Sequence, residues 1–518
     1  MKGIFRPSST AAVLLILAAI AGCGEEKGAP ALRLAFETEP STLDPAFAVD
    51  YSSGMAASLV HSGLVRFDPE GGIIPDLARE WSVSPGGMEY TFVLSPAEFS
   101  GGLPVTAGDV VRSFRRLVDP ATASPRWWVL EPVEGASRAR ATGDTGLLAV
   151  EAIDDSTVVI VLERPAAHFL SLLAMPAACI TGPEAGGMGD DYGRAPDGSG
   201  PWMLESWISG ERMVLGRRDR AGGRRKGVER MVIRMLPEPM TRIAEFEVGN
   251  LDILEIPAAE LDRWRIAAPR LLSRPELRVV YIGLNNTRPP FDDLRVRRAV
   301  NMAVDVEAVI AHVLFGAAGR IAGVVPEGLR EGPPLAAPYR YDPARARAQL
   351  ADAGYADGFE IELWQRDNPE AGRVLESVQA YLAEVGIEAR IVTREWSAFK
   401  QAVQMGTPDA FYLDWFADYP DPENFLAPLF HSENRGGGGN RTGYTNGEVD
   451  SLLDAASAVL SPERRWDMLA RAERIVYEDA PWLFLWFPVR YEAVSPRLKG
   501  YTMPLIFNGQ QYTGVTIR

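Results

Sequence analysis

The sequence predicts an α/β protein with two or more lobes, on three observations. Strand-type and helix-type patterns alternate from residue 359 to residue 416, the rhythm of βαβ units and a largely parallel sheet. A nearly all-apolar run, Trp482-Leu483-Phe484-Leu485-Trp486-Phe487, reads as a strand buried on both faces. The chain's 518 residues, 47% hydrophobic and 24% charged, have ordinary globular composition and suffice for more than one packed core.

The first half is richer in strands and in Gly and Pro punctuation. Its plainest strand covers residues 154–162 and is dense in β-branched side chains. Residues 186–200 and Gly436-Gly437-Gly438-Gly439 read as surface loops. Asp342-Pro343 offers an N-cap followed by proline at the first helical position, and the helix it opens stops at Gly354. A strand over 359–364 alternates apolar and acidic residues. A helix over 370–384 closes at Gly386, a strand over 387–392 alternates again, and a helix over 397–404 leads into a strand over 410–416. Ser461-Pro462 opens a long helix to about Glu478, ahead of the apolar strand 482–487. There is no internal repeat.

At the N-terminus Lys2 and Arg6 precede an apolar run, residues 11–20, which ends in Ile20-Ala21-Gly22-Cys23. Charge, apolar segment and small residues make a secretory signal, too short for a comfortable membrane span. The residues before Cys23 resemble a bacterial lipobox. Residues 1–22 are then a signal peptide, Cys23 is the lipidated first residue, and 23–30 form the lipid anchor and tether. The alternative is an ordinary signal with an incidental cysteine. No later stretch is long and apolar enough to span a bilayer. A net charge of −16 argues against a nucleic-acid partner, because phosphate contacts dominate that affinity. Besides Cys23 the chain has only Cys179, so lipidation leaves no intramolecular disulfide, and the apolar setting of Cys179 reads as a buried inert thiol.

Signals of catalysis are absent. There is no phosphate-binding or dinucleotide glycine loop, no H-E-x-x-H helix and no G-x-S-x-G elbow. The four histidines are scattered without metal-ligand spacing. The sequence therefore predicts no enzyme, no cofactor and no metal site.

The most informative stretch is Trp415-Phe416-Ala417-Asp418-Tyr419-Pro420-Asp421-Pro422. It follows the strand 410–414, and its prolines end that strand, so Asp418 falls just past a strand end among aromatic rings. By residue type alone, Asp418 either shapes the turn or presents a carboxylate to a ligand cation.

This stretch resembles a signature of the extracellular solute-binding proteins of the peptide/nickel/opine class, the capture subunits of ABC importers. Further blocks resemble the same family in the same order. They include Glu39-Pro40-Ser41-Thr42-Leu43-Asp44-Pro45, Pro75-Asp76-Leu77-Ala78 with Trp81, and Pro104-Val105-Thr106-Ala107-Gly108-Asp109. Later come Gly198-Ser199-Gly200-Pro201-Trp202 and Pro289-Pro290-Phe291-Asp292-Asp293 with Arg295-Val296-Arg297-Arg298.

The resemblance implies a two-lobed periplasmic-binding-protein (venus-flytrap) fold with an additional domain inserted in the first lobe. Lobe 1 is expected from 31–51, 195–279 and 488–518, the inserted domain from 52–194, and lobe 2 from 280–487. The hinge crossings are expected near Leu284-Asn285-Asn286 and near Pro488.

By resemblance, Asp418 pairs with a peptide's α-ammonium. Asp414, Trp415 and Phe416 lie where an extended peptide is held like an added strand. Trp396 matches an aromatic lining position, Glu39 a pocket-facing carboxylate, and Trp127 or Trp128 a ligand-facing ring. Core packing is the alternative for these rings, and an exposed strand end for Glu39. Tyr412 stands where some relatives carry an arginine, so no carboxylate clamp is expected there.

The expected function is that of a lipid-anchored, periplasmic or cell-surface monomer that captures small peptides by hinge closure and delivers them to an ABC permease. Within the same class the ligand could instead be an oligosaccharide, an opine or a metal chelate. A ligand sensor or chaperone-like protein on this fold is the rival from another class.

Overall fold

A computed structural model describes residues 31–187, 189–218, 227–330 and 337–518. The signal segment, the tether and Cys23 lie outside the described residues. Strand β1 (Ala31–Phe36) buries every second residue, Leu32, Leu34 and Phe36. Asp50 opens helix α1 (Tyr51–Val60) by accepting a hydrogen bond from Ser53 N at 2.8 Å.

The chain then builds a separate antiparallel sheet. Strands β2 (Ala78–Val83) and β3 (Glu89–Leu94) precede helix α2 (Ala107–Val118), and β4 (Val150–Ala152) and β5 (Thr157–Val161) follow it. Their order is β2-β3-β5-β4. The β5 ladder starts at Thr157 and not at Asp154, because the Asp154 carboxylate accepts from Ser156 N (2.7 Å) and Thr157 Oγ1 (3.0 Å) and so makes a turn.

Strands β6 (Trp202–Ile208), β7 (Arg212–Arg217) and β8 (Arg230–Met235) return beside β1. β8 runs parallel to β1, setting Leu32 beside Met231 and Leu34 beside Ile233. The sheet β1-β8-β7-β6 is thus closed by chain from either side of the antiparallel sheet.

After helix α3 (Pro239–Glu247) come the short strands β9 (Ile253–Glu255) and β10 (Leu271–Pro275). The second lobe contains β11 (Arg278–Leu284), α4 (Leu294–Ala303), α5 (Pro343–Asp352), β12 (Phe359–Arg366) and α6 (Pro369–Glu384). It continues through β13 (Ile387–Arg394), α7 (Trp396–Gln404), β14 (Ala410–Phe416), α8 (Pro462–Asp479) and β15 (Trp482–Val494). Asp342 caps α5 by accepting from Arg345 N at 2.9 Å, and Gly386, at φ +87°, ends α6 in a conformation that favours glycine.

The main path of the eight-stranded sheet is β9-β15-β11-β14-β12-β13. The βαβ rhythm produces parallel pairing of β12 with β13 and with β14. β11, which arrives from the first lobe, runs antiparallel to both β14 and β15, so the sheet is mixed and not largely parallel. Its alternating residues feed two cores. Val279 and Tyr281 pack with the cluster that includes Phe92 and Phe411, while Val280 and Ile282 pack with Val300 and Val378.

β15 is thirteen residues long and belongs to both lobes. Its first half pairs with β11, Trp482 against Gly283 and Trp486 against Val280. Its second half pairs with β9 and β10, Val494 against Ile253 and Val489 against Pro275. The lobes therefore meet at Phe487-Pro488 in β15 and at Glu276-Leu277 between β10 and β11. The crossing expected near Asn285-Asn286 is displaced to the opposite end of β11. Asn285 instead lies inside the second lobe, where its side-chain amide donates to the Gly406 carbonyl at 2.8 Å.

Candidate ligand-binding site

Strands that cross between lobes leave a gap beside the crossing. A cleft of roughly 500 Å³ lies there, walled by the ends of β1, β9 and β10 on one side and by β11, β12 and β14 on the other. The start of α1, the second half of β15 and the C-terminal segment complete it. Five arginines (242, 274, 278, 366, 490) face five carboxylates (Glu37, Glu255, Glu276, Asp414, Glu492), so the walls suit a ligand carrying both signs of charge.

Most of these charges are already partnered. Arg278 Nε donates to Asp414 at 2.8 Å and has Glu276 at 3.9 Å. Arg274 donates to Glu70 at 2.6 Å, and Arg242 to Glu37 at 3.3 Å. Glu492 accepts from the Tyr501 hydroxyl at 2.6 Å and has Arg490 Nε at 3.5 Å. Arg366 carries no ion pair among the described residues; its guanidinium lies 5.6 Å from the centre of the Trp396 ring.

A second chamber of about 300 Å³ adjoins the first, sharing Tyr51, Phe416 and Phe507 with it. Its walls are mainly apolar, with Ala48, Met175, Pro176 and Ala177 beside Ala417 and Asp418. Tyr51 and Phe416 remain 46% and 38% exposed, leaving ring surface for a ligand to cover.

Asp418 lines the smaller chamber, but its carboxylate accepts from Arg126 Nη1 of the inserted domain at 2.8 Å. A ligand ammonium would have to displace or share that partner. The Asp418 backbone N–H donates to Asn424 Oδ1 at 3.0 Å, which fixes the turn. Three residues on, Asp421 takes Arg465 in a two-point pair at 2.7 and 2.8 Å and plays a structural part.

Strand alternation sorts the neighbours. Asp414 and Phe416 face the larger cleft, whereas Trp415 turns to the other side, its indole N–H donating to Asn424 at 3.4 Å. On the side away from β11, β14 pairs with β12 only at Leu363–Ala410 and Trp364–Phe411. Residues 412–416 of β14 thus present an edge without a strand partner among the described residues.

The other expected rings do not line the larger cleft. Trp396 begins α7, 45% exposed, and reaches the site only by stacking on Phe399 and Arg366. Trp127 and Trp128 open a short helical turn after Arg126, so Arg126 and not either ring enters the smaller chamber. Glu39 lies outside both chambers. Burial pushes its carboxyl up, but hydrogen bonds from Gly210 N (2.9 Å), Ser209 (3.0 Å) and Trp207 (2.8 Å), with Arg194 beside it, outweigh that and hold it below the usual carboxylate range.

Sequence reasoning misses Arg366, Glu255, Arg490 and Glu492. Arg366 had a signal, since ligands gather at the C-terminal ends of parallel strands and β12 ends there. Glu255, at the end of a three-residue strand, had none. Glu255 opens onto the cleft yet is surrounded by protein. Its side chain is exposed to the cleft, but the protein mass around that recess strips it of part of its water. This desolvation, with Glu276 and Glu492 nearby and only Arg490 and Arg242 opposing, pushes its carboxyl up to about 7. Among the described residues no cluster of His, Cys, Asp and Glu could hold a metal, and no helix is long and apolar enough to cross a membrane.

Residues 72–437 match the family model for bacterial extracellular solute-binding proteins, family 5, middle region. Heme-binding protein A of Haemophilus influenzae is 31% identical over 506 residues, covering 92% of this chain and 90% of that protein. A dipeptide-binding protein of Escherichia coli is 30% identical over 454 residues, covering 83% and 84%. The solved structure of the periplasmic binding protein DppA from Helicobacter pylori, in complex with the peptide STSA, superposes with a TM-score of 0.77. Its identity is 26% over 94% of this chain and 98% of that one.

Proposed function

We propose that this chain, which belongs to the family 5 bacterial extracellular solute-binding proteins, captures short peptides between its lobes and delivers them to an ABC permease. The unpaired edge of β14 carries this reading, because an open strand edge inside a cleft recognises an extended main chain whatever its side chains. Arg366, at the end of the neighbouring strand and without a carboxylate partner among the described residues, supplies the group for the peptide's C-terminal carboxylate. The balanced charges of the walls match a zwitterion. The relative named as dipeptide-binding and the neighbour holding STSA agree with it.

Closure about Glu276-Leu277 and Phe487-Pro488 traps the ligand, driven by contacts that exist only in the shut state. Asp418 serves that closure by binding Arg126 and so holding the inserted domain on the second lobe. Cys23 anchors the protein on the outer side of a membrane, next to the permease. Heme, for which one relative is named, fits less well: no His or Cys lines the larger cleft among the described residues, and charged groups interrupt its walls.

Native mass spectrometry of protein purified from cells tests the ligand. Release of peptides of about two to five residues under denaturing conditions is the expected result; a bound porphyrin, saccharide or metal chelate overturns the peptide assignment. Radiolabelled palmitate entering wild type but not Cys23→Ala tests the anchor.

A further inference from the structure

We infer that the carboxyl of Glu255 receives the positively charged group of the ligand, an ammonium or guanidinium, at the first-lobe end of the larger cleft. This rests on the peptide reading above and names the subsite that reading leaves open. Of the carboxylates in the cleft, Glu37, Asp414, Glu276 and Glu492 each have an arginine within 4 Å. Among the described residues Glu255 makes no side-chain hydrogen bond or ion pair, and Asp418 in the next chamber is held by Arg126. An incoming cation thus finds one carboxyl with nothing to displace.

The ladder adds a second reason. Glu255 on β9 stands directly opposite Glu492 on β15, so two acids form a cross-strand pair on the cleft side. Like charges placed this way repel. Arg490, two residues along β15, is the main counter-charge, but it is shared with Glu492, with the Tyr51 hydroxyl at 3.4 Å and with the Pro504 carbonyl at 2.9 Å. Arg274, opposite Arg490 in the ladder, is drawn away to Glu70 and the Pro69 carbonyl. Glu276 adds a further negative charge and Arg242 a positive one. The subsite has more carboxylates than arginines free to answer them, and a ligand cation corrects the imbalance.

The same groups make binding proton-linked. Glu255 is neutral below about 7 and charged above it, and a cation favours the charged form. Binding therefore releases a proton and weakens as the pH falls through 7. From pH 8 to pH 6 the ionised fraction drops about tenfold, and affinity for the cation drops about tenfold with it.

Isothermal titration at pH 8, pH 7 and pH 6, in two buffers of different ionisation enthalpy, tests this with Ala-Ala-Ala, Ala-Lys-Ala and their N-acetyl forms. The expected result is that wild type prefers a cationic peptide about tenfold over its uncharged counterpart at pH 8, releases about half a proton on binding it at pH 7, where the Glu255 carboxyl is half protonated, and loses the preference at pH 6. In Glu255→Gln the preference, the proton release and the pH dependence all vanish. Loss of affinity on N-acetylation identifies the amino terminus as the cation; insensitivity to it with a preference for lysine identifies the side chain. Unchanged selectivity and pH profile in Glu255→Gln, or their loss in Asp418→Asn instead, overturns the assignment and leaves the peptide reading standing. Binding of a cationic peptide by wild type at pH 7 without proton release overturns it too, and needs no variant. Failure of wild type to bind any of the four peptides overturns both readings.

Discussion

Asp418 and Glu255 are two carboxylates in adjoining chambers, and they differ in what the fold sets beside them. Asp418 lies in the most distinctive motif of the sequence, in the mainly apolar chamber, and its charge is answered by Arg126 from another domain. Glu255 lies in an inconspicuous three-residue strand, in the charged chamber, facing a second acid across the ladder. An acid's availability to a ligand thus depends on which cations the folded chain leaves uncommitted. A motif places a carboxylate; it does not say whether the carboxylate is already spoken for.

The largest expected effect comes from breaking an acid that is purely structural. Arg465→Ala leaves Asp421 with 12% side-chain exposure and no counter-charge, and should lower unfolding free energy by about 3 kcal/mol in urea titrations. Ligand selectivity should not change. Next, Arg366→Ala should weaken peptides with a free carboxyl terminus by about 10- to 100-fold while leaving C-terminally amidated ones nearly unaffected, as titration calorimetry would show. Equal loss for both forms would remove Arg366 from the carboxylate role.

The contrast between the two acids is sharpened by smaller effects. Arg126 and Asp418 are 21% and 26% exposed, so a double-mutant cycle on stability with Arg126→Ala and Asp418→Ala should give a coupling of about 1 kcal/mol. Neither substitution should change how the protein discriminates free from blocked amino termini. A selective loss of free-amine peptides in Asp418→Ala would restore that residue as the ammonium partner.

The smallest effect concerns the ligand-free protein. Because the folded-state Glu255 carboxyl is raised, its favourable share is present at low pH and is lost as the pH rises toward and through 7. Glu255→Gln should therefore flatten that decline and stabilise the empty protein at pH 8 by less than about 1 kcal/mol, since water in the cleft screens the repulsion. Thermal unfolding of both proteins between pH 5 and pH 8, roughly the range over which such a group titrates, checks it.

Much of the architecture is legible as pattern. The caps at Asp342 and Gly386 and the alternation through β12, β13 and β14 depend on local chemistry, which a sequence displays. The βαβ rhythm does not announce that β11 enters antiparallel, because that depends on where the chain comes from and not on its residue types. Pattern alone ends β15 at Phe487, since Arg490 and Glu492 break the apolar run; they continue the ladder because the first lobe's β9 and β10 pair with them. In the site, Asp414 and Phe416 are legible as cleft residues. The pleat turns Trp415 away, and hydrogen bonds from the 207–210 turn draw Glu39 out of the cleft's reach. Partners far apart in the chain, such as Arg126 and Asp418, leave no local trace.

A single strand held in register by both lobes also governs how this protein could be recombined with its relatives. Removing one residue from the first half of β15 would force a choice: either every side chain beyond the cut turns to the opposite face, taking Arg490 and Glu492 out of the cleft, or the strand slips by one residue against β11 in the second lobe. Chimaeras that exchange whole lobes have their natural seams at Glu276-Leu277 and Phe487-Pro488. The phase of the strand across the second seam must be copied to the residue, whereas loops elsewhere tolerate changes in length.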